Sequence, residues 1–95
     1  RSVGQALRNF NMANMLGEAT PDNPLDLARV EASMVRDLIV NLGSLWFTPM
    51  WRSVALYDLQ QKFDDYVRYV ATNPGQAIDF IRFLVDTGFV DRYFG

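Results

Sequence analysis

The sequence predicts an all-α domain, a four-helix up-and-down bundle with a short C-terminal helical turn. Three observations carry that expectation. A capping residue stands directly before a proline at Asn23-Pro24, Thr48-Pro49 and Asn73-Pro74, at intervals of 25 residues. Between these marks apolar side chains recur at steps of three and four, the period of a helix with one buried face. No stretch alternates apolar and polar residues with period two, so no strand is expected.

Each element follows from local chemistry. The first helix is expected over residues 2–16, with Val3, Leu7 and Phe10 in line and Gly17 beyond its end. The second is expected over 24–42, carrying Leu27, Val30, Met34 and Leu38 inward. Asn23 caps it, Pro24 presets φ at its first position, and Asp26 sits where a capping-box partner belongs. The third runs over 49–71 behind Thr48-Pro49, with Leu56, Leu59, Phe63, Tyr66 and Val70 as its inner line. The fourth is expected over 74–87, capped by Asn73, with Gln76 at its capping-box position and Ala77, Ile78, Ile81, Leu84 and Val85 on one side. Gly43 and Gly88 fit positions just past a helix end, where a left-handed residue is common. The segment "FVDRYFG" follows as one further turn. Short connections make neighbouring helices antiparallel, which is how the bundle closes. The residues after the three prolines do not match, so the regular spacing is punctuation and not an internal repeat.

Ninety-five residues make one domain, here 1–95, and enough chain for a core without staples. The chain opens on Arg1 rather than methionine, and we expect it to be a module of a larger polypeptide. Nothing in it resembles a signal peptide. The longest charge-free run, 38–51, has 14 residues and is broken by Gly43 and Pro49. A spanning helix needs about 20, so no transmembrane segment is expected and a cytoplasmic location is the default.

The chemistry of catalysis is sparse. There is no histidine and no cysteine, which removes the commonest general base, the thiolate nucleophile and the usual metal ligands. The serines therefore have no conventional base. No phosphate-binding glycine loop and no nucleophile elbow occur. Asp64 and Asp65 are adjacent on a helix and point about 100° apart. Asp58 with Lys62, and Asp64 with Arg68, stand at i to i+4 and read as a solvated helix face. The expectation is a protein that is not an enzyme and holds no cofactor and no metal. Its net charge of −2 argues against a nucleic-acid partner. Arg1 and Arg8, without an acid in residues 1–16, read as a polar helix face, with a basic arm for nucleic acid or an acidic partner as the alternative.

One stretch is out of character. The corner between the second and third helices, "LGSLWFTPMW", carries two tryptophans, a phenylalanine and a methionine where connectors are normally polar. At 100° per residue, Met50, Val54 and Tyr57 fall almost opposite the inner line of the third helix. Ile39 and Val40 lie off the core line at the end of the second. Ile39, Val40, Trp46, Phe47, Met50, Trp51, Val54 and Tyr57 should therefore gather at one pole. Phe83 adds to the apolar excess, since it shares its side of the fourth helix with Asp79 and Asp86.

A helix apolar on two faces has to be covered. The intramolecular cover is the tail, which brings Phe89, Val90, Tyr93 and Phe94 to the same pole, along with Val3 and Leu7. The intermolecular cover is a protein: a helix laid in a groove, or a second copy of the domain. Tryptophan, tyrosine, phenylalanine and methionine are favoured at such interfaces. The apolar load exceeds what one end of so small a bundle readily buries. The expected function is a non-enzymatic interaction or assembly module, a structural or scaffold element that docks or oligomerises through this patch. The alternatives are attachment to a membrane surface and carriage of a small apolar ligand within the bundle. Membrane attachment is disfavoured because no Lys or Arg lies between Asp37 and Arg52.

Overall fold

The computed structural model describes residues 24–41, 47–76 and 78–95. Among them the chain forms four α-helices, a 3-10 turn and no strand. In order these are α1 (Pro24–Asn41), α2 (Pro49–Thr72), the 3-10 turn Pro74–Gln76, α3 (Phe80–Asp86) and α4 (Phe89–Phe94). The molecule is all-α, with two long helices and two short ones. The expected helix over 2–16, with Asn23, Gly17, Gly43, Trp46 and Ala77, lies outside the described residues.

The two long helices pack on one another, α3 packs on both, and α4 packs on α3. Glu31 in α1 and Tyr66 in α2 both bond to the segment 78–81. At the other end only seven residues join Asn41 to Pro49. The long helices are therefore antiparallel.

α2 begins as its sequence predicts. Thr48 is extended (φ −68°, ψ 159°), its Oγ1 accepts the Trp51 N–H at 3.1 Å, and Pro49 fills the first turn. Ala55, Leu59 and Tyr66 are buried along its inner face, with Leu56, Phe63 and Val70 packed beside them. The helix stops at Asn73. Its backbone N–H and its Nδ2 both donate to the Tyr69 carbonyl, at 2.9 and 3.1 Å. Asn73 thus closes α2 and does not open the next helix.

That use of Asn73 corrects the expected fourth helix. Pro74 starts only a 3-10 turn, and the α-helix begins six residues later. The Tyr66 hydroxyl donates to the Ile78 carbonyl at 2.6 Å, in the non-helical stretch before α3. Asp79 (φ −76°, ψ 167°) is the true cap, its Oδ1 accepting the Arg82 N–H at 2.8 Å. Ile81 and Leu84 are buried as expected, joined by Phe80. After α3 the Gly88 N–H donates to the Val85 carbonyl at 3.2 Å. Gly88 itself sits at φ +86°, a region that costs a side chain energy. This left-handed residue turns the chain into α4, which buries Phe89, Val90, Tyr93 and Phe94. The further C-terminal turn is thus a helix in its own right.

α1 is rotated from its expected orientation. Its buried residues are Ala28, Glu31, Val35 and Ile39, one position on from the expected line of Leu27, Val30, Met34 and Leu38. Val30 is 66% exposed, while Leu27, Met34 and Leu38 are half-buried. The physical reason is Glu31. A glutamate on the inward stripe looks impossible unless it has a partner, and it has several.

Candidate interaction surface

The start of α2 and the turn before it form the corner. Phe47 lies beneath it, buried, with its ring 5.9 Å from Phe94 and nearly perpendicular. Ile39 is fully buried. These two belong to the core and support the corner from inside. Trp51 is 36% exposed, and its ring lies 5.3 Å from Tyr93, tilted by 46°. The Arg92 guanidinium stands 5.5 Å from the ring centres of both Trp51 and Tyr93, within cation–π range. Val54 is half-buried against the core. Three large apolar side chains face outward: Met50 at 78% exposure, Tyr57 at 70% and Val40 at 44%.

The tail therefore covers part of the corner and leaves part open. Tyr93 and Phe94 take Trp51 and Phe47; Met50 and Tyr57 remain outside. Phe83 is not brought to the corner. Its ring packs 5.4 Å from Tyr66 and 5.7 Å from Tyr69, toward the far end of α2. Tyr66 is 15 residues beyond Trp51 on the same helix, roughly 22 Å at the helical rise.

A polar cluster borders the aromatic one. Asp58 accepts from Lys62 Nζ and from the Tyr93 hydroxyl, both at 2.8 Å. Burial pushes the Asp58 carboxyl up, but the bonds from Lys62 and Tyr93 and the charges of Lys62 and Arg92 outweigh it and leave it below the usual carboxylate value. Burial and the bond to Asp58 push the Tyr93 hydroxyl up to about 12, so it stays a donor. The Asp58–Lys62 pair, expected on a solvated face, is thus mostly covered and fixes α4 to α2. Farther along, Arg68 pairs with Asp65 and not with Asp64, which instead accepts from Gln60 Nε2 at 3.4 Å. Arg52, one residue after Trp51, has its Nε buried without a hydrogen-bond partner.

A second cluster escaped the sequence reading. The Glu31 side chain is fully buried, and its Oε1 accepts the Phe80 N–H at 3.0 Å and the Ile81 N–H at 3.3 Å. Burial raises the Glu31 carboxyl to about 7. The nearby charge of Asp79 and a hydrogen bond between the two carboxyl groups push the same way, while the two backbone N–H groups pull it down. Tyr66 lies alongside, raised to about 12 by burial and by the charges of Glu31, Asp79 and Tyr69. The signal for this cluster was present: Glu31 stands three residues after Ala28 and four before Val35, on the apolar stripe. With no exposure to solvent, Glu31 anchors α3 rather than offering a carboxylate to a substrate.

Among the described residues, no group of three or more metal-ligating side chains could hold an ion. No described helix is long and apolar enough to cross a membrane. Compared with protein-family models, curated proteins and solved structures, the chain matches none.

Proposed function

We propose that the chain is a non-enzymatic protein-interaction module that docks through the outer part of the α1–α2 corner: Val40, Met50, Trp51 and Tyr57, with Val54 at its edge. We read α1 and α2, antiparallel and closely packed, as two members of an up-and-down arrangement. One observation carries the docking reading. Met50, Val54, Tyr57, Gln61, Asp64 and Arg68 lie on one stripe of α2, and that stripe changes from apolar to polar after two turns. A purely solvated face has no reason to begin with a methionine and a tyrosine this exposed. Each is worth about 1.5–3 kcal/mol if fully buried against a partner. Trp51, already held by Tyr93 and Arg92, stands part-exposed on the flank of the same turn. Preorganised aromatic anchors of this kind dominate protein interfaces.

The simplest occupant is a second copy of the chain, with a helix of the partner laid along this stripe. Two measurements test the reading. Hydroxyl-radical footprinting of the dilute chain should oxidise Met50 and Tyr57 readily; protection there means that the chain covers them itself, and the surface disappears. Sedimentation equilibrium should then show association that Met50→Ser with Tyr57→Ser abolishes. A wild-type chain that stays monomeric at high concentration overturns self-association.

A further inference from the structure

The charges around the corner narrow what can dock there. Among the described residues, Arg29, Arg36, Lys62, Arg68 and Arg82 each pair with an aspartate of their own helix. Arg52 and Arg92 do not. Arg52 precedes the buried Ala55 and Leu59 by three and seven residues, so it lies on the inner side of α2. Arg92 is exposed, and its guanidinium stands over the Trp51 and Tyr93 rings without a hydrogen bond or ion pair among the described residues. Its charge acts on Asp58, but that carboxylate is already taken by Lys62 and the Tyr93 hydroxyl.

A charge of opposite sign stands on the docking stripe itself. Met50, Tyr57 and Asp64 follow at steps of seven, so they share one line of α2 with Tyr57 midway. Each step spans roughly 10 Å. Asp64 is exposed and accepts the 3.4 Å bond from Gln60 without an ion pair among the described residues; Arg68, four residues on, pairs with Asp65 instead.

We propose that the occupant of the corner is a second copy docked α2 against α2, antiparallel about a two-fold axis at Tyr57, with Asp64 of each copy closing on Arg92 of the other. The proposal deepens the docking reading and rests on it, since Met50 and Tyr57 supply the apolar part of the contact. Turning the helix end for end about Tyr57 exchanges the places of Met50 and Asp64. Asp64 of the second copy then comes beside the Met50–Trp51 turn, where the Arg92 guanidinium stands. The same operation makes the second pair, as an isologous interface requires. The two tyrosines meet at the axis. A parallel pairing would instead set Asp64 against Asp64 and leave both Arg92 side chains unmatched. A guanidinium stacked on an aromatic face keeps its N–H groups at its edge, so Arg92 can take a carboxylate without leaving Trp51. Packed between Trp51 and Met50, the pair loses part of its water. Charge pairs enclosed in interfaces in this way are stronger than those on an open helix face.

Charge reversal on the full chain tests this arrangement by sedimentation equilibrium at neutral pH and low salt. Arg92→Glu and Asp64→Arg should each weaken self-association about tenfold or more, because each sets like charges face to face at two places in the dimer. Mixed in equal parts, the two variants should associate with each other nearly as well as wild type. In that mixed pair Glu at position 92 meets Arg at position 64, and the native Arg92 of one chain meets the native Asp64 of the other. No effect within one chain produces such a rescue. Asp64 faces water, so Asp64→Arg should melt close to wild type and its loss of association is not a loss of fold. A mixture that associates no better than its parts, both being folded, overturns the arrangement. If Met50→Ser with Tyr57→Ser abolishes association while the charge variants leave it unchanged, the docking surface stands and the Arg92–Asp64 register falls. If the mixture rescues association but the serine variant leaves it intact, the charge pair stands and the apolar contact falls.

Discussion

The junction of α1 with α3 and the outer corner of α2 depart from apolar-in, polar-out packing in opposite directions. At the junction a carboxyl group is fully buried; at the corner a methionine and a tyrosine face water. The buried group has partners within the chain: two backbone N–H groups and the Asp79 carboxyl. The exposed groups lack a matching cover among the described residues. Polar exceptions in a core must be satisfied locally, because an unmet donor or acceptor there costs about 1–3 kcal/mol. Apolar exceptions at a surface cost the folded chain little and need no partner within it.

The junction should break hardest. Glu31→Ala removes the acceptor of two buried N–H groups and opens a small void, and should cost about 2–4 kcal/mol by denaturant unfolding at pH 5. Acidity sharpens the same point. Because the folded carboxyl is raised, its stabilising contribution is complete below about 4.5, the unfolded value, and is lost as pH rises through about 7. Stability should therefore fall by about 2–3 kcal/mol between pH 5 and pH 8, reversing the direction expected for an ion-paired carboxylate. Glu31→Gln should remove most of that slope and be the more stable protein at pH 8. A wild-type chain that gains stability over this range would show that the two N–H bonds outweigh burial and Asp79.

The contrast also separates what the sequence makes legible from what it hides. α2 is legible because its signals are local: the Thr48 hydroxyl, Pro49 and an inner line whose buried and half-buried members recur at helical spacing. The inner face of α1 is hidden by Glu31. Any reading that sends a charge outward turns that helix by about 100° and puts Val30 inside. The break at 73–79 is hidden for a related reason. Asn73 suits either end of a helix, and the choice is made by contacts from Tyr66 and Glu31 that lie far away in sequence. At the corner, the outward line of Met50 and Tyr57 follows from periodicity alone. That Phe47 and Ile39 sink beneath it, and that Phe83 packs at the far end, depends on where α3 and α4 dock, which periodicity does not encode.

The hinge between the two short helices tests whether the cover is built or incidental. A Cβ at Gly88 meets no atom within 4 Å, so Gly88→Ala adds no clash and isolates the backbone cost of φ +86°. That cost is about 1–2 kcal/mol. It should appear in thermal unfolding and as faster exchange in α4. An unchanged protein would mean that α4 can dock through another turn geometry.

The smallest change in stability should come from the corner, and its smallness is the point. Met50→Ser and Tyr57→Ser remove large side chains that already face water, so together they should shift folding stability by no more than about 0.5 kcal/mol. Trp51→Ala in the same turn should do more, about 1–2 kcal/mol, because its ring rests on Tyr93 beneath the Arg92 guanidinium. Thermal melts of the three variants rank these directly. A large loss at Met50 or Tyr57 would mean that the chain uses them in its own packing, and the corner would then follow the same rule as the junction. Near-neutral stability paired with lost association leaves one account of why two such side chains stand in water. They would then be the contact through which this fold associates, as proposed.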